Sequence, residues 1–546
     1  MNNFKNYVLG AALCGALMVT TNVMAQIAPP PPPVDPPKAW HTMDLQADGF
    51  FGISLNQAYQ FLQGKKSKTV LVATIDSGCD TAQKDLQSIL WVNPKEKPAN
   101  GKDDDKDGYV DDVHGWNFLG GPNGKCDYNE TTEEIRQYAK LKGKYLTLTA
   151  APAGDEKGYA FWLQVKAVHD STVSKSTAEL KELQPEMNIL MITNGYIKKS
   201  LALDGNGTFK IGDLDKIKSN NDTVTRSKYV WNLVLAQEGG DATNAKVLKE
   251  LGDYIAKLTN DINPDLNSRA EIVGDDPDVR NTKPYGNNIL KYSDASHGTG
   301  VAGLIGAIRN NGYGIDGVAD NVRLMIIKAV PDGDEYDKDV ANAIHYAVDH
   351  GAKIINMSFG KKLSPHKDWV DEAFKYAAKK DVLLVMASGN DNLNVDSVQE
   401  YPNDTFADGS ATDADNVISV DASAWKQDTT LAASFTNYGK KNTDVFAPGV
   451  KVTSIDSDSE FNTADGTSFA SPITAGIAAL ILEYYPNLSA AQLKQAIMAS
   501  ATPLTGVMVN KPGTSQKVDF STLSKSGGVV NAYKALVYAS KLKGER

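Results

Sequence analysis

Ser468 and Ser471 lie in the stretch GTSFASPITAGIAAL, directly ahead of a long apolar run. A serine hydroxyl in such a place could cap the N–H groups at the start of a helix, and Pro472 is compatible with a first helical turn. The same hydroxyl could act as a nucleophile if a base takes its proton, an acid orients that base and donors stabilise an oxyanion. Whether the rest of the chain supplies such partners decides between the two interpretations.

Three other segments carry residues of the required types. Asp76 follows the apolar run TVLVATI, so its carboxylate should lie at the carboxyl end of a strand, where open α/β sheets bind ligands. His297 lies in SHGTGVAGLIGA, whose glycines leave room around an imidazole ring. Asn390 ends the segment ASGN, where a side-chain amide could donate to an oxyanion. A turn, a cap or a packed histidine would explain each residue singly, but their joint occurrence favours Ser468 as a nucleophile.

The elements that must position these residues alternate between two patterns. Short β-rich apolar runs include TVLVATID, VRLMIIKAV, AKIINMSFG, DVLLVMASGN and NVISVDAS, and helical patterns such as KDVANAIHYAVDHG and DWVDEAFKYAAKK separate them. Such alternation predicts an α/β fold with a doubly wound, mostly parallel sheet. The carboxyl ends of its strands would then bring the candidate residues to one edge.

Residues 129–266 interrupt this alternation with helical patterns alone, so we predict an inserted, mainly helical domain there. The catalytic domain would comprise residues 40–128 and 267–546. Thr131 and Glu134 have the spacing of a capping box at the start of the insertion. One helix of the insertion should present an apolar face made of Val247, Leu248, Leu251, Tyr254, Ile255 and Leu258.

Residues 1–25 have the pattern of a secretory signal, with Lys5 in a short polar start, an apolar stretch and a small-residue cleavage site that ends at Ala25. A lipoprotein signal would use Cys14, but Leu13 is bulky where a small residue is expected, so we favour simple cleavage. The proline-rich residues 26–39 then form a stiff linker.

The composition of the chain limits which classes of molecule it could bind. The chain has 546 residues, 41% of them hydrophobic, and a formal net charge of −11, so it has no broad positive field for nucleic acid or anionic lipid. After the signal, no stretch is apolar and long enough to span a membrane. We therefore expect an exported protein, periplasmic or secreted, that binds no nucleic acid and has no membrane span in its mature form. Its oligomeric state is left open.

Only two cysteines, Cys79 and Cys126, follow the signal. They permit one internal disulfide in an oxidising compartment, and two free thiols fit the sequence equally well.

Several of these segments together resemble the signatures of subtilisin-like serine proteases, the subtilase family: VATIDSG, HGTGVAG, NMSFG, ASGN and GTSFASP. The resemblance covers about residues 40–120 and 270–540. It implies an Asp-His-Ser triad in which Ser468 is the nucleophile, His297 the general base and Asp76 the residue that orients the imidazole. Asn390 would be the side-chain oxyanion donor, and Ser471 would remain a helix-start serine. The implied activity is peptide-bond hydrolysis through an acyl-enzyme by a serine endopeptidase, with polypeptide substrates and no organic cofactor.

The resemblance also implies substrate contacts. The backbone of Ser358, Phe359 and Gly360 would pair with a peptide, and Ser388 and Gly389 would help to wall the first specificity pocket. Tyr336 would lie at the rim of a further subsite. Around it is an acidic cluster that could select basic residues upstream of the cut or form a solvated loop, which we favour: Asp332, Asp334, Glu335, Asp337 and Asp339.

Two departures from the family pattern leave alternatives open. Gly300 stands where subtilases commonly have a second histidine, and the insertion separates Asp76 from His297 by 221 residues. A catalytically silent envelope protein that binds a partner through the insertion is the second hypothesis; only Gly300 favours it, and the intact Asp, His, Ser and Asn set argues against it. An esterase of the α/β-hydrolase kind is a weaker one, because GTSFAS is not G-x-S-x-G and the triad order differs.

The segment DDDKDGYVDD predicts a structural Ca²⁺ site, because it spaces hard oxygen ligands at alternate positions around a sharp turn at Gly108. The predicted ligands are Asp103, Asp105, Asp107 and Asp111. His114 stands where an EF-hand has its bidentate glutamate, so the loop is not an EF-hand. An acidic surface loop without a metal is the alternative.

Overall fold

A computed structural model describes residues 35–238, 242–280 and 284–546. The predicted signal and most of the predicted linker lie outside these residues. Among the described residues, no helix combines the length and the apolar character that crossing a bilayer requires.

The described strands are β1 Val70–Asp76, β2 Gly115–Asn117, β3 Val322–Lys328, β4 Ile354–Met357, β5 Leu383–Ala387, β6 Val417–Ser423, β7 Val445–Pro448, β8 Val452–Ile455, β9 Phe461–Ala464, β10 Thr502–Pro503, β11 Met508–Asn510, β12 Lys517–Asp519 and β13 Gly528–Val529. The described helices are α1 Leu45–Asp48, α2 Leu55–Leu62, α3 Glu133–Tyr145, α4 Glu156–Ser200, α5 Asp222–Glu238, α6 Asn244–Ile262, α7 Ser268–Ile272, α8 Ser296–Gly306, α9 Asp337–Asp349, α10 Lys367–Lys379, α11 Thr467–Tyr484, α12 Ala490–Ser500 and α13 Ala532–Ala539.

A nine-stranded sheet organises the larger part of the chain, in the order β10-β13-β7-β6-β5-β4-β1-β3-β2. Its pairs are parallel except β10 with β13 at one edge. The α/β class with a mostly parallel sheet is therefore confirmed. Strand β1 lies between β4 and β3, so the carboxyl end of β1 opens at an inner position of the sheet.

Alternate side chains of β1 enter two different cores, which is why this strand is apolar almost throughout. Val72 belongs to the core that contains α8 and α11, whereas Ala73 and Ile75 belong to the core that contains α9 and α10. Helices thus cover both faces of the sheet, as a doubly wound fold requires.

The described chain separates into two compact units, one within residues 134–265 and one within residues 35–133 and 266–546. Within residues 134–265 the regular elements are helices, including the 45-residue α4. The long helices α4, α5 and α6 contribute to one apolar core. Helix α6 buries Val247, Leu251 and Leu258 in it, which is the spacing of an amphipathic helix.

Candidate active site

Asp76 and His297, which are 221 positions apart in the chain, are hydrogen-bonded to each other. Asp76 is the last residue of β1 and His297 is the second residue of α8. The Asp76 Oδ1 lies 2.7 Å from the His297 Nδ1 and also accepts the Ser77 N–H at 2.8 Å. With Nδ1 committed to the carboxylate, the His297 Nε2 is the ring nitrogen available to exchange a proton with another group.

Burial and charge act in opposite directions on His297. The partial burial of the ring would by itself lower the pKa of His297, but the adjacent Asp76 carboxylate favours the imidazolium, and the net result is a pKa above the ordinary value of 6.5. Asp76 is 2% exposed, whereas the His297 side chain is 39% exposed. A buried acid therefore supports a base that solvent can reach.

Ser468 is the second residue of α11, and the N-cap residue of this helix is Gly466, which has no side chain. Neither Ser468 nor Ser471 is therefore a capping residue. The prediction that Ser471 is a helix-start serine is wrong: it lies one turn inside α11, is fully buried and donates to the Asn356 Oδ1 at 2.7 Å.

Asn390 is held by the first turn of α11. Its Oδ1 accepts the Thr467 N–H at 2.9 Å and the Thr467 hydroxyl at 3.0 Å, so its Nδ2 is directed away from Thr467. A Cβ placed on Gly466 would lie 3.7 Å from the Ser468 Oγ and 3.8 Å from the Asn390 Nδ2. The serine hydroxyl and the amide donor thus border the same small space, which glycine at position 466 leaves open.

The backbone of Ser468 is anchored to the β4 segment by the side chains of Ser358 and Asn356. Ser358 was predicted only to pair with substrate through its backbone, and Asn356 was not predicted to have a functional role. The Ser358 hydroxyl donates to the Ser468 carbonyl at 2.9 Å and accepts the Asn356 Nδ2 at 2.9 Å. The other end of the Asn356 amide holds Ser471. The sequence feature that could have indicated a role for Asn356 is its position as a polar residue inside the apolar segment AKIINMSFG.

The sequence profile of the Peptidase S8 subtilase family matches residues 67–521. The chain belongs to the subtilase family. It is thus a peptide hydrolase of the subtilisin-like serine type. The candidate residues Asp76, His297 and Ser468 follow one another along the chain in the order found in subtilisin.

Relatives of known activity match parts of this subtilase. The thermophilic serine proteinase of Bacillus sp. strain AK1 is 35% identical over 244 residues, which are 44% of this chain and 52% of that protein. Subtilisin BL of Lederbergia lenta is 32% identical over 279 residues, which are 50% of this chain and 91% of that protein. The solved structure of the prenylagaramide maturation protease PagA aligns with 45% of this chain and 82% of its own, at 26% identity and a TM-score of 0.36.

A buried ion pair that the sequence analysis missed ties together the segments that carry Asp76 and His297 in the subtilase. Lys328, the last residue of β3, is fully buried and pairs with Asp294, three residues before His297. The Lys328 Nζ also donates to the Ser77 carbonyl at 2.7 Å, and the Ser77 hydroxyl donates to the Asp294 carbonyl at 2.9 Å. The sequence feature that could have indicated this ion pair is the lysine at the end of the apolar run VRLMIIK.

Replacing Lys328 by methionine is expected to lower the free energy of unfolding by about 3–5 kcal/mol, because Asp294 would stay buried without its counter-charge. The control is Lys375→Met, which breaks an exposed pair with Asp408 and should cost far less. Denaturant titration of both variants in a Ser468→Ala background measures the difference. If both variants lost the same free energy of unfolding, the buried ion pair would stabilise the fold no more than a surface pair does.

The predicted substrate residues lie at the ends of two neighbouring strands. Ser358, Phe359 and Gly360 follow β4, and exposure increases from the buried Ser358 to the exposed Gly360. Ser388 and Gly389 follow β5, and the Gly389 N–H donates to the Thr467 hydroxyl at 3.2 Å. A Cβ added to Gly389 would lie 2.3 Å from the Asn437 Nδ2, and the φ of +104° at this position also disfavours residues other than glycine.

Tyr336, predicted at a subsite rim, is buried. Its hydroxyl donates to the Glu130 Oε1 at 2.8 Å, and the Arg269 guanidinium lies 4.3 Å from its ring centroid. The structure therefore places this ring in a packed environment and does not place it on an open rim.

The interpretation of the acidic cluster as a solvated loop is wrong for its buried members Glu335, Asp337 and Asp339. Asp337 pairs with Lys361 at 2.9 Å, and Asp339 pairs with Arg269 at 2.7 Å. Burial raises the pKa of Glu335 to about 8. The counter-charges come from segments distant in the sequence, so the local acidic pattern gave no sign of them.

The acidic loop brings together some of the predicted metal ligands. Asp103 and Asp105 lie in one group with Glu96, and Asp105 and Asp107 lie in another with His350. Asp111 is in neither group, because its two carboxylate oxygens accept backbone N–H groups at 3.1 and 2.7 Å.

Gly300 lies on the side of α8 that packs against β8. Its carbonyl accepts the Ser454 hydroxyl at 2.7 Å, and an added Cβ would lie 3.4 Å from the Ile455 carbonyl oxygen and 3.5 Å from the Phe469 ring. Glycine in place of the family's usual histidine at position 300 therefore affects the packing of α8 and leaves the Asp76–His297 hydrogen bond in place.

Cys79 and Cys126 are both free and buried, so the disulfide that the sequence permitted is absent from the described residues. Burial raises the pKa of both thiols to about 12, which keeps them protonated and unreactive at neutral pH.

Proposed function

We propose that this subtilase is an exported serine endopeptidase that cleaves peptide bonds through an acyl-enzyme. The observation that carries the proposal is the 2.7 Å hydrogen bond between the buried Asp76 and the solvent-accessible His297. A carboxylate in this position holds the imidazole in the tautomer whose Nε2 can accept a proton, and it stabilises the imidazolium that results.

In the proposed reaction, the Ser468 Oγ attacks the carbonyl carbon of the scissile peptide bond while its proton passes to the His297 Nε2. The oxygen of the tetrahedral intermediate becomes negative and accepts a hydrogen bond from the Asn390 amide. The C–N bond breaks when His297 returns the proton to the leaving amine. Water then repeats the sequence on the ester, and Ser468 is regenerated.

The substrate is proposed to be a polypeptide in extended conformation that pairs with the backbone of Ser358, Phe359 and Gly360. The placement is supported by the exposure of Gly360, which lies two residues after Ser358, whose hydroxyl donates to the Ser468 carbonyl. Ser388 and Gly389 would border the side chain on the acyl side of the cut. Gly389 supports that role, because it leaves the pocket wall without a side chain.

Export is proposed from residues 1–25, whose polar start, apolar stretch and small-residue end fit a cleaved signal. The low cysteine content and the buried, protonated thiols are compatible with an oxidising compartment, because no reactive thiol is exposed in the described chain. The periplasm and the medium are both consistent with these features.

Labelling with a fluorophosphonate tests the proposed function and its base together. The purified protein should form one adduct, on Ser468, and Ser468→Ala should form none. The labelling rate should fall as the pH drops through the pKa of His297, which lies above 6.5, because only the neutral imidazole accepts the serine proton.

Three results would contradict the proposal in different ways. A folded protein that forms no adduct supports the catalytically silent envelope protein. An adduct on another serine refutes Ser468 as the nucleophile, and a labelling rate that stays constant down to pH 4 excludes His297 as the base.

A further inference from the structure

The segment that carries Asn390 leaves the central sheet just before it reaches that residue. Strand β5 ends at Ala387, and the Ser388 N–H still donates to the Val420 carbonyl oxygen of β6 at 3.0 Å. Residues 388–393 belong to no helix or strand of the described chain. Since buried backbone groups need hydrogen-bond partners, this segment must be held in place by something other than a neighbouring strand.

Asn437 holds the segment with both its side chain and its backbone, and it is fully buried. Its Nδ2 donates to the Ser388 carbonyl oxygen at 2.8 Å, and its own N–H donates to the Gly389 carbonyl oxygen at 2.9 Å. Its Oδ1 accepts the N–H groups of Asp391 at 3.1 Å and Leu393 at 2.8 Å. One residue thus fixes the chain on both sides of the proposed oxyanion donor.

A side-chain amide is what these contacts require. The Ser388 carbonyl oxygen needs a donor, whereas the N–H groups of Asp391 and Leu393 need an acceptor, and an amide offers both on one short side chain. In a buried position, a backbone group that loses such a partner pays the cost of its lost hydration. We therefore expect the loop to move when the Asn437 amide is removed.

We propose that Asn437 is the positioning residue of Asn390 in catalysis. The proposal rests on the proposed function, in which the Asn390 amide donates to the oxyanion. Thr467 orients that amide through its Oδ1, and Asn437 fixes the backbone from which the amide extends. A donor stabilises a transition state fully only when it is held within about 0.5 Å of the productive position, so a shifted backbone lowers the rate.

The test is a double-mutant cycle that joins Asn437→Ala with Asn390→Ala. The values of kcat and KM on a fluorogenic peptide are measured for the parent, the two single variants and the double variant. Each kcat is expressed per Ser468 that a fluorophosphonate labels at completion, so an unfolded fraction of the sample does not count.

Asn437→Asp is the second variant, and it replaces Asn437→Ala throughout the cycle if the alanine variant does not fold. Aspartate has nearly the same shape and keeps an acceptor for the N–H groups of Asp391 and Leu393. It removes only the donor to the Ser388 carbonyl oxygen.

Asn416→Ala is the matched control, because Asn416 is a buried asparagine at the opposite end of β5. Its Nδ2 donates to the Val382 carbonyl oxygen at 3.1 Å, one residue before the strand begins. The substitution removes a buried amide that supports the same strand far from the oxyanion donor. Its kcat per labelled site should therefore stay within about twofold of the parent.

Asn437→Ala is expected to lower kcat by about 10- to 100-fold and to change KM by a smaller factor. In the Asn390→Ala background the same substitution should lower kcat by no more than about twofold, because the donor that Asn437 positions is already gone. A residue that served only the stability of the fold would not distinguish the two backgrounds.

The proposal is overturned if Asn437→Ala lowers kcat by the same factor in both backgrounds, if it leaves kcat per labelled site unchanged, or if Asn416→Ala lowers kcat equally. Failure of the proposed function gives different results: the parent forms no adduct on Ser468, or Asn390→Ala alone leaves kcat unchanged. Either of these results would refute the positioning role together with the function on which it rests.

Discussion

Replacing Ser468 by alanine is expected to lower kcat for peptide hydrolysis by about 10⁶-fold. The substitution removes one oxygen from a half-buried position at the start of α11 and leaves the Ser468 carbonyl that accepts the Ser358 hydroxyl. The fold should therefore be retained, because the anchor of this turn to β4 uses the backbone. Turnover of a fluorogenic peptide, with circular dichroism on the same sample, measures both effects.

Adding His297→Ala to Ser468→Ala should cause little further loss, because a base has no function without the hydroxyl it deprotonates. His297→Ala alone should be nearly as damaging as Ser468→Ala. Losses that multiply in the double variant would mean that the two residues act independently and would refute the triad.

Replacing Asn390 by alanine is expected to lower kcat by about 10²–10³-fold with little change in KM. The amide is expected to donate mainly to the oxyanion, which exists only after attack, so ground-state binding should be nearly unaffected. Steady-state kinetics on a peptide substrate separate the two parameters. A change confined to KM would reassign Asn390 to substrate binding.

Thr467→Val provides a graded control for Asn390. The variant removes the hydroxyl that donates to the Asn390 Oδ1 at 3.0 Å but keeps the backbone N–H that donates at 2.9 Å. The amide should be less well oriented but still present, so kcat should fall by less than in Asn390→Ala. A larger loss in Thr467→Val would mean that Thr467 has a role of its own.

The alternation of apolar β-rich runs and helical patterns was sufficient to predict the class of fold. It succeeds because strands of a doubly wound sheet are buried on both faces, so they stand out from the amphipathic helices that cover them. The segments around Asp76, His297 and Ser468 were recognisable for a related reason. The end of a strand and the start of a helix require particular small or polar residues, and these requirements can be recognised within a few neighbouring positions.

The errors concern residues whose partners are distant in the sequence. Ser471 is a bonding partner of Asn356 because two elements 115 residues apart pack together. The acids at positions 337 and 339 are buried because Lys361 and Arg269 neutralise them. A local pattern of charges cannot reveal a counter-charge that another segment supplies.

By itself the sequence determined the α/β class, the family and the residue types that the proposed chemistry requires. Only the tertiary structure decided that Asp76 and His297 share a hydrogen bond, that Lys328 supports the segments on which both lie, and that Glu96 rather than Asp111 lies close to the carboxylates of Asp103 and Asp105. The physical reason is that local propensities act over a few neighbouring residues. The burial of a side chain and the pairing of a charge depend on which distant segments the packed sheet and helices bring into contact.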